Sequence, residues 1–81
     1  MKIEEIITDK QLDHAWGNAN FGDVLKRDIL RYTLLKKACG YGSGSTARAI
    51  VKELGLFTEK EQLSKRGMEY LYESFSNGAN V

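Results

Sequence analysis

The chain has no proline, one cysteine, one histidine and almost no net charge, and each scarcity narrows what it can be. Without proline, the ends of helices and turns fall to glycine, asparagine and capping side chains. A single cysteine, Cys39, excludes an intrachain disulfide and the four-cysteine zinc sites, and a single histidine, His14, excludes the His-rich ones. No cofactor or metal is expected. A lone thiol suits a reducing compartment, and the opening MKIEEIITDK carries acids where a secretory leader has an apolar core. No apolar run approaches the roughly 20 residues that span a bilayer. A cytoplasmic protein with no membrane partner is therefore expected. The formal net charge of +1 supplies no global attraction to nucleic acid, so such binding must come from a local patch.

What is present describes one small globular domain. Of 81 residues, 42% are hydrophobic and 28% charged, enough for a single modest core. The domain is expected over residues 1–76, with a flexible tail over 77–81 where SNGANV carries no apolar pattern.

Spacing predicts a mostly α, four-helix domain. Thr8 and Gln11 have the separation of a capping box, with Ile7 and Leu12 placed as a hydrophobic staple, so a first helix starts there and carries Leu12, Ala15 and Trp16. A second, longest helix is expected from about Asp23 to Cys39. Leu25, Ile29, Tyr32, Leu35 and Cys39 form one stripe on it, and Leu30, Leu34 and Ala38 a second. An arc this wide predicts a helix packed on more than one side. The third helix, about Ser45 to Leu54, has Ala47, Ile50, Val51 and Leu54 as its inward stripe, Ser45 or Ser43 as its cap and Gly55 as its stop. Between it and the last helix, LGLFTEKEQLS suits either a short β-ribbon or a helical turn. Ser64 then caps the fourth helix, whose apolar face reads Met68, Leu71, Tyr72 and Phe75.

The stretch GYGSGSTAR, residues 40–48, is the one place where phosphate chemistry suggests itself. A P-loop needs lysine immediately before the helix-opening Ser/Thr, and Gly44 stands there instead. A dinucleotide turn needs a preceding strand and different glycine spacing. The run is therefore read as a helix-to-helix turn that exploits glycine's freedom at positive φ. The helix it opens is more informative. Ser45, Arg48 and Lys52 fall on one side, with Ala49 among them and Glu53 beside them. Hydroxyls, amides and an arginine on a small-residue face suit DNA phosphates and base edges; the same residues also make an ordinary solvated face. Enzyme readings find little support: Cys39 sits in an apolar stripe read as core, and a Cys39–His14 pair is left open. Trp16 and Phe21 either dock the first helix on the long one or form a protein-binding patch.

The segment STARAIVKELGLFTEKEQLSKRGMEYL resembles the second half of a winged helix-turn-helix domain. In that family a recognition helix leads through ELGL into a wing, and LSKRGMEYL is similar to the entry into the helix that follows. The resemblance implies that Ser45, Thr46, Arg48 and Lys52 face a groove of double-stranded DNA. It further implies that Lys60, Lys65 and Arg66 meet backbone phosphates. Glu59 and Glu61, flanking Lys60, depart from a basic wing. With HAWGNANFG and LLKKACGYGSGSTARAIVKELGL, the whole chain is similar to short accessory proteins of tailed phages and prophages, which implies a host-directed regulator without catalytic residues. The leading expectation is a small DNA-binding or transcription-modulating protein. The alternative is a non-enzymatic modulator that binds a host protein, and a homodimer through the wide second helix is a third arrangement.

Overall fold

A computed structural model describes residues 2–79, with side chains described to Ser76. Five helices are present among them: α1 (Ile3–Ile6), α2 (Asp9–Trp16), α3 (Lys26–Ala38), α4 (Ser45–Glu53) and α5 (Lys65–Ala79). The count of four is corrected by α1, one turn at whose N-cap the Glu5 carboxylate accepts from the Lys2 N–H at 3.0 Å. Four residues are too few to show a period, which is why the pattern missed it. Of the tail expected over residues 77–81, residues 80–81 lie outside the described region, and α5 is continuous through 77–79.

Local chemistry explains the boundaries. Thr8 caps α2 as its spacing predicts: its Oγ1 accepts from the Gln11 N–H at 3.2 Å, and Gln11 Oε1 accepts from the Thr8 N–H at 2.9 Å. The helix starting at Lys26 rather than Asp23 has Leu25 as its N-cap, without a side-chain bond. Gly40, at φ 85°, then reverses the chain: its N–H donates to Lys37 O and the Tyr41 N–H to Lys36 O, satisfying the last carbonyls. The residue before α4 is Gly44, which offers no side-chain cap, so neither Ser43 nor Ser45 takes that role. Ser64 does cap α5. Its Oγ accepts from the Gly67 N–H at 2.9 Å and donates to Gly55 O at 2.7 Å, fastening the helix start to the turn after α4.

The core lies where α3 packs against both α4 and α5, with α1 laid on α5 and α2 on α4. Leu30 and Leu34 of α3, Ile50 and Val51 of α4, Tyr70 of α5 and Ile6, Ile7, Leu12 and Trp16 from the N-terminal turns are all buried. Each fully buried aliphatic side chain contributes about 1.5–3 kcal/mol by leaving water, and truncating Leu34, which is wholly enclosed, removes about 2–5 kcal/mol. Trp16 docks into this core and meets Phe21 edge-on, ring centroids 5.4 Å apart. Thr33, the buried polar residue on α3, returns its hydroxyl to Ile29 O at 2.7 Å.

Arg27 ties three elements together: it donates to Asp9 Oδ1 at 2.6 Å, to Ile7 O at 3.0 Å and to the Tyr70 hydroxyl at 3.2 Å. Burial opposes its charge, but the bonds to Asp9 and Tyr70 outweigh that and hold it protonated more firmly than an ordinary arginine. For Tyr70, burial pushes the hydroxyl pKa up, and Arg27 offsets only part of the rise.

Two apolar faces reach the core only in part: Ile29 of one and Leu71 of the other pack against it, and their remaining members do not. On α3, Leu30 and Leu34 are inward, while Leu25, Tyr32, Leu35 and Cys39 are exposed, so Cys39 is a surface thiol and not core. On α5, Tyr70 and Gly67 are inward and Met68, Tyr72 and Phe75 are exposed. The reason is Gly67: a Cβ there would overlap the Leu56 carbonyl, so the helix is seated on that side by backbone proximity rather than by its largest apolar stripe.

No strand occurs among the described residues. The segment between α4 and α5 holds an isolated antiparallel bridge, Phe57 to Leu63. The Thr58 N–H donates to Gln62 O at 2.7 Å and the Ser64 N–H to Leu56 O at 3.0 Å on either side of it.

Candidate nucleic-acid interface

Helix α4 is amphipathic in the sense its spacing predicts. Ala47, Ile50 and Val51 are buried, and Ser45, Thr46, Arg48, Ala49 and Lys52 are exposed. Positions 45, 48 and 52 share one outward face, with Thr46 one step around the helix. Because Gly44 provides no acceptor and no acid stands in the first turn, the first-turn amides and the positive end of the helix dipole are open to an anion.

Arg48 is not free of its surroundings. Its Nη1 lies 3.3 Å from Glu61 Oε1, an ion pair in which both side chains remain close to half exposed. Glu61 reaches it from the turn before α5 through a left-handed backbone, φ 60°. Such an exposed pair contributes little to stability, and an approaching phosphate can replace the carboxylate at the guanidinium.

Lys37 and Tyr41 join this cluster, lining one small recess with Gly42, Ser43, Arg48, Phe57 and Glu61. Lys37 stands in the last turn of α3, where a cation complements the helix dipole, and Tyr41 belongs to the glycine turn. The available signal was Gly40. A left-handed glycine just past a helix folds the chain back, and so sets the last turn of α3 beside the first turn of α4. Tyr41 is 70% exposed, an aromatic placed beside two cations.

The remaining basic residues divide. Lys60 is exposed at the tip of the turn that carries Glu61. Lys65 lines a groove with Ile6, Met68, Glu69, Tyr72 and Glu73, on the α1 side of α5. Arg66 donates from Nη2 to Ile6 O and lines the cleft between α2 and the end of α4 with Lys10, His14 and Glu53. Ser45, Arg48, Lys52 and the neighbouring turn residues thus come together, whereas Lys65 and Arg66 line clefts beside α1 and α2. Arg66 acts there as a strut between α5 and α1.

His14 lines the α2–α4 cleft and Cys39 caps the C-terminus of α3, with no hydrogen bond between them among the described residues. No group of three metal-ligating side chains occurs among those residues. No helix among them is long and apolar enough to cross a membrane. Comparison with known protein families, with curated proteins and with solved structures finds no match to this chain.

Proposed function

We propose that this chain is a small, non-enzymatic DNA-binding or transcription-modulating protein of phage or prophage origin, and that α4 is its contact helix. The observation that carries the reading is the outward face of α4. Ser45, Arg48 and Lys52 stand exposed and aligned on a helix that begins without a side-chain cap, beside Lys37 and Tyr41. In this reading α3, the glycine turn and α4 act as a helix-turn-helix, and the turn from Phe57 to Leu63 is a minimal wing. Phosphates bind the first-turn amides and Lys37, and Arg48, released from Glu61, reaches a base edge.

The test is a titration of the labelled protein with duplex DNA at moderate salt, followed through its amide resonances. Shifts concentrated at residues 41–52 are expected; absence of any shift overturns the proposal. The competing reading, a modulator that binds a host protein, draws on a different observation: Glu61 neutralises Arg48, leaving a face of mixed charge. Resonances that move with a protein partner and not with duplex DNA would establish that reading instead.

A further inference from the structure

The stripes that point away from the core meet one another. Leu35 and Ala38 of α3 line one apolar groove with Met68, Leu71, Tyr72 and Phe75 of α5. Tyr32 extends that face across α3, and Leu25 continues its stripe toward the helix start, leaving a surface spread over two neighbouring helices. Leu25, Tyr32, Leu35, Met68, Tyr72 and Phe75 are between 37% and 69% exposed. Together they present on the order of 500 Å² of largely apolar side chain, the size at which an exposed patch marks an interaction.

We propose that the joined outer faces of α3 and α5 form a homodimer interface, occupied by the same face of a second copy of this chain. Three features select that occupant. The first is charge. Glu69, Glu73 and Lys65 share the edge of α5 remote from α3, which leaves it net acidic, and Lys36 stands on the edge of α3 remote from α5, beside the start of α4. A two-fold axis parallel to the helices lays α5 of one copy over α3 of the other, and each acidic edge then meets the partner's basic one. A duplex or an anionic membrane surface requires one sign of charge throughout, which this face lacks.

The second feature is area. Two such patches pressed together, each with its polar rim, approach the roughly 800 Å² per partner of a standard interface. Two helices against two also form a four-helix layer, an arrangement in which side-chain ridges interlock.

The third is preorganisation. The Arg31 guanidinium lies 5.4 Å from the ring centroids of both Tyr32 and Phe75, and Asp28 holds it from behind at 3.6 Å. These contacts favour the present positions of both rings by about 0.5–1 kcal/mol each, which reduces the ordering that association requires.

Arg48 and Lys52 lie outside this face, so Arg48→Ala with Lys52→Ala is expected to dimerise as the wild type does. Sedimentation equilibrium on the full chain tests it. A dimer with a dissociation constant of about 10 μM or tighter is expected, and Tyr72→Glu, at a position 69% exposed, weakens it about 100-fold with an unchanged circular dichroism spectrum. A wild type still monomeric at about 100 μM, or a folded Tyr72→Glu chain that dimerises undiminished, overturns the proposal. Should Tyr72→Glu lose its fold, Lys36→Glu on the exposed edge decides. Association about tenfold weaker, restored when Glu69→Lys and Glu73→Lys are added, supports the interface, and unchanged association refutes it.

Discussion

Glu61 holds its backbone in the left-handed region and sets its carboxylate 3.3 Å from Arg48 Nη1, so that an acid from the turn covers the central cation of α4. The arrangement has opposed consequences. It places a side chain in a conformation that disfavours any Cβ by about 1 kcal/mol or more, and it adds negative charge where a polyanion would bind. Glu61→Gly removes both. The variant is expected to keep its stability within about 1 kcal/mol, because the lost surface pair contributes no more than that, and to bind duplex DNA about tenfold more tightly at low salt. Thermal unfolding and fluorescence anisotropy measure the two effects.

Gly67→Ala is expected to behave opposite to its helix propensity. Within an exposed helix the change stabilises by about 1 kcal/mol. Here the added methyl would overlap the Leu56 carbonyl, whose oxygen already accepts from the Ser64 N–H and whose residue is wholly buried. Neither side can yield cheaply, so a loss of about 3 kcal/mol or more is expected. Urea unfolding checks the sign.

Tyr70 links stability to alkaline pH. Burial raises its pKa above the ordinary tyrosine value, with Arg27 lowering it only in part. The folded chain therefore keeps the hydroxyl proton at a pH where the unfolded chain releases it. Its contribution is complete below about pH 10 and declines as pH rises from there toward the folded pKa. Tyr70→Phe is expected to lose about 1 kcal/mol near neutrality, from the missing bond to Arg27, and to show a shallower alkaline decline than the wild type. Unfolding midpoints across an alkaline pH series measure both.

The parts legible in the sequence are those where one local rule acts alone. The Thr8–Gln11 box, the Ser64 cap and the Ala47–Ile50–Val51 stripe each depend on residues within a turn or two. Reading failed where a long-range contact decided the orientation. Met68, Tyr72 and Phe75 form the more hydrophobic face of α5, yet the helix turns the side bearing Gly67 and Tyr70 inward, because only glycine admits the Leu56 backbone. Likewise the stripe through Tyr32, Leu35 and Cys39 has helical spacing, and the described residues cover it only in part. In the candidate interface, the alignment of Arg48 with Lys52 follows from spacing. The carboxylate of Glu61 and the approach of Lys37 and Tyr41 follow from two left-handed residues, Glu61 itself and Gly40, whose effect on chain direction has no hydrophobic signature.

The most direct test of the account is the affinity of the wild type and of the Arg48→Ala, Lys52→Ala double variant for duplex DNA, measured over a series of salt concentrations. Wild-type binding is expected to weaken steadily with salt as counterions are released, and a double variant whose helical circular dichroism is intact is expected not to bind. A double variant that binds with wild-type affinity and salt dependence would contradict it.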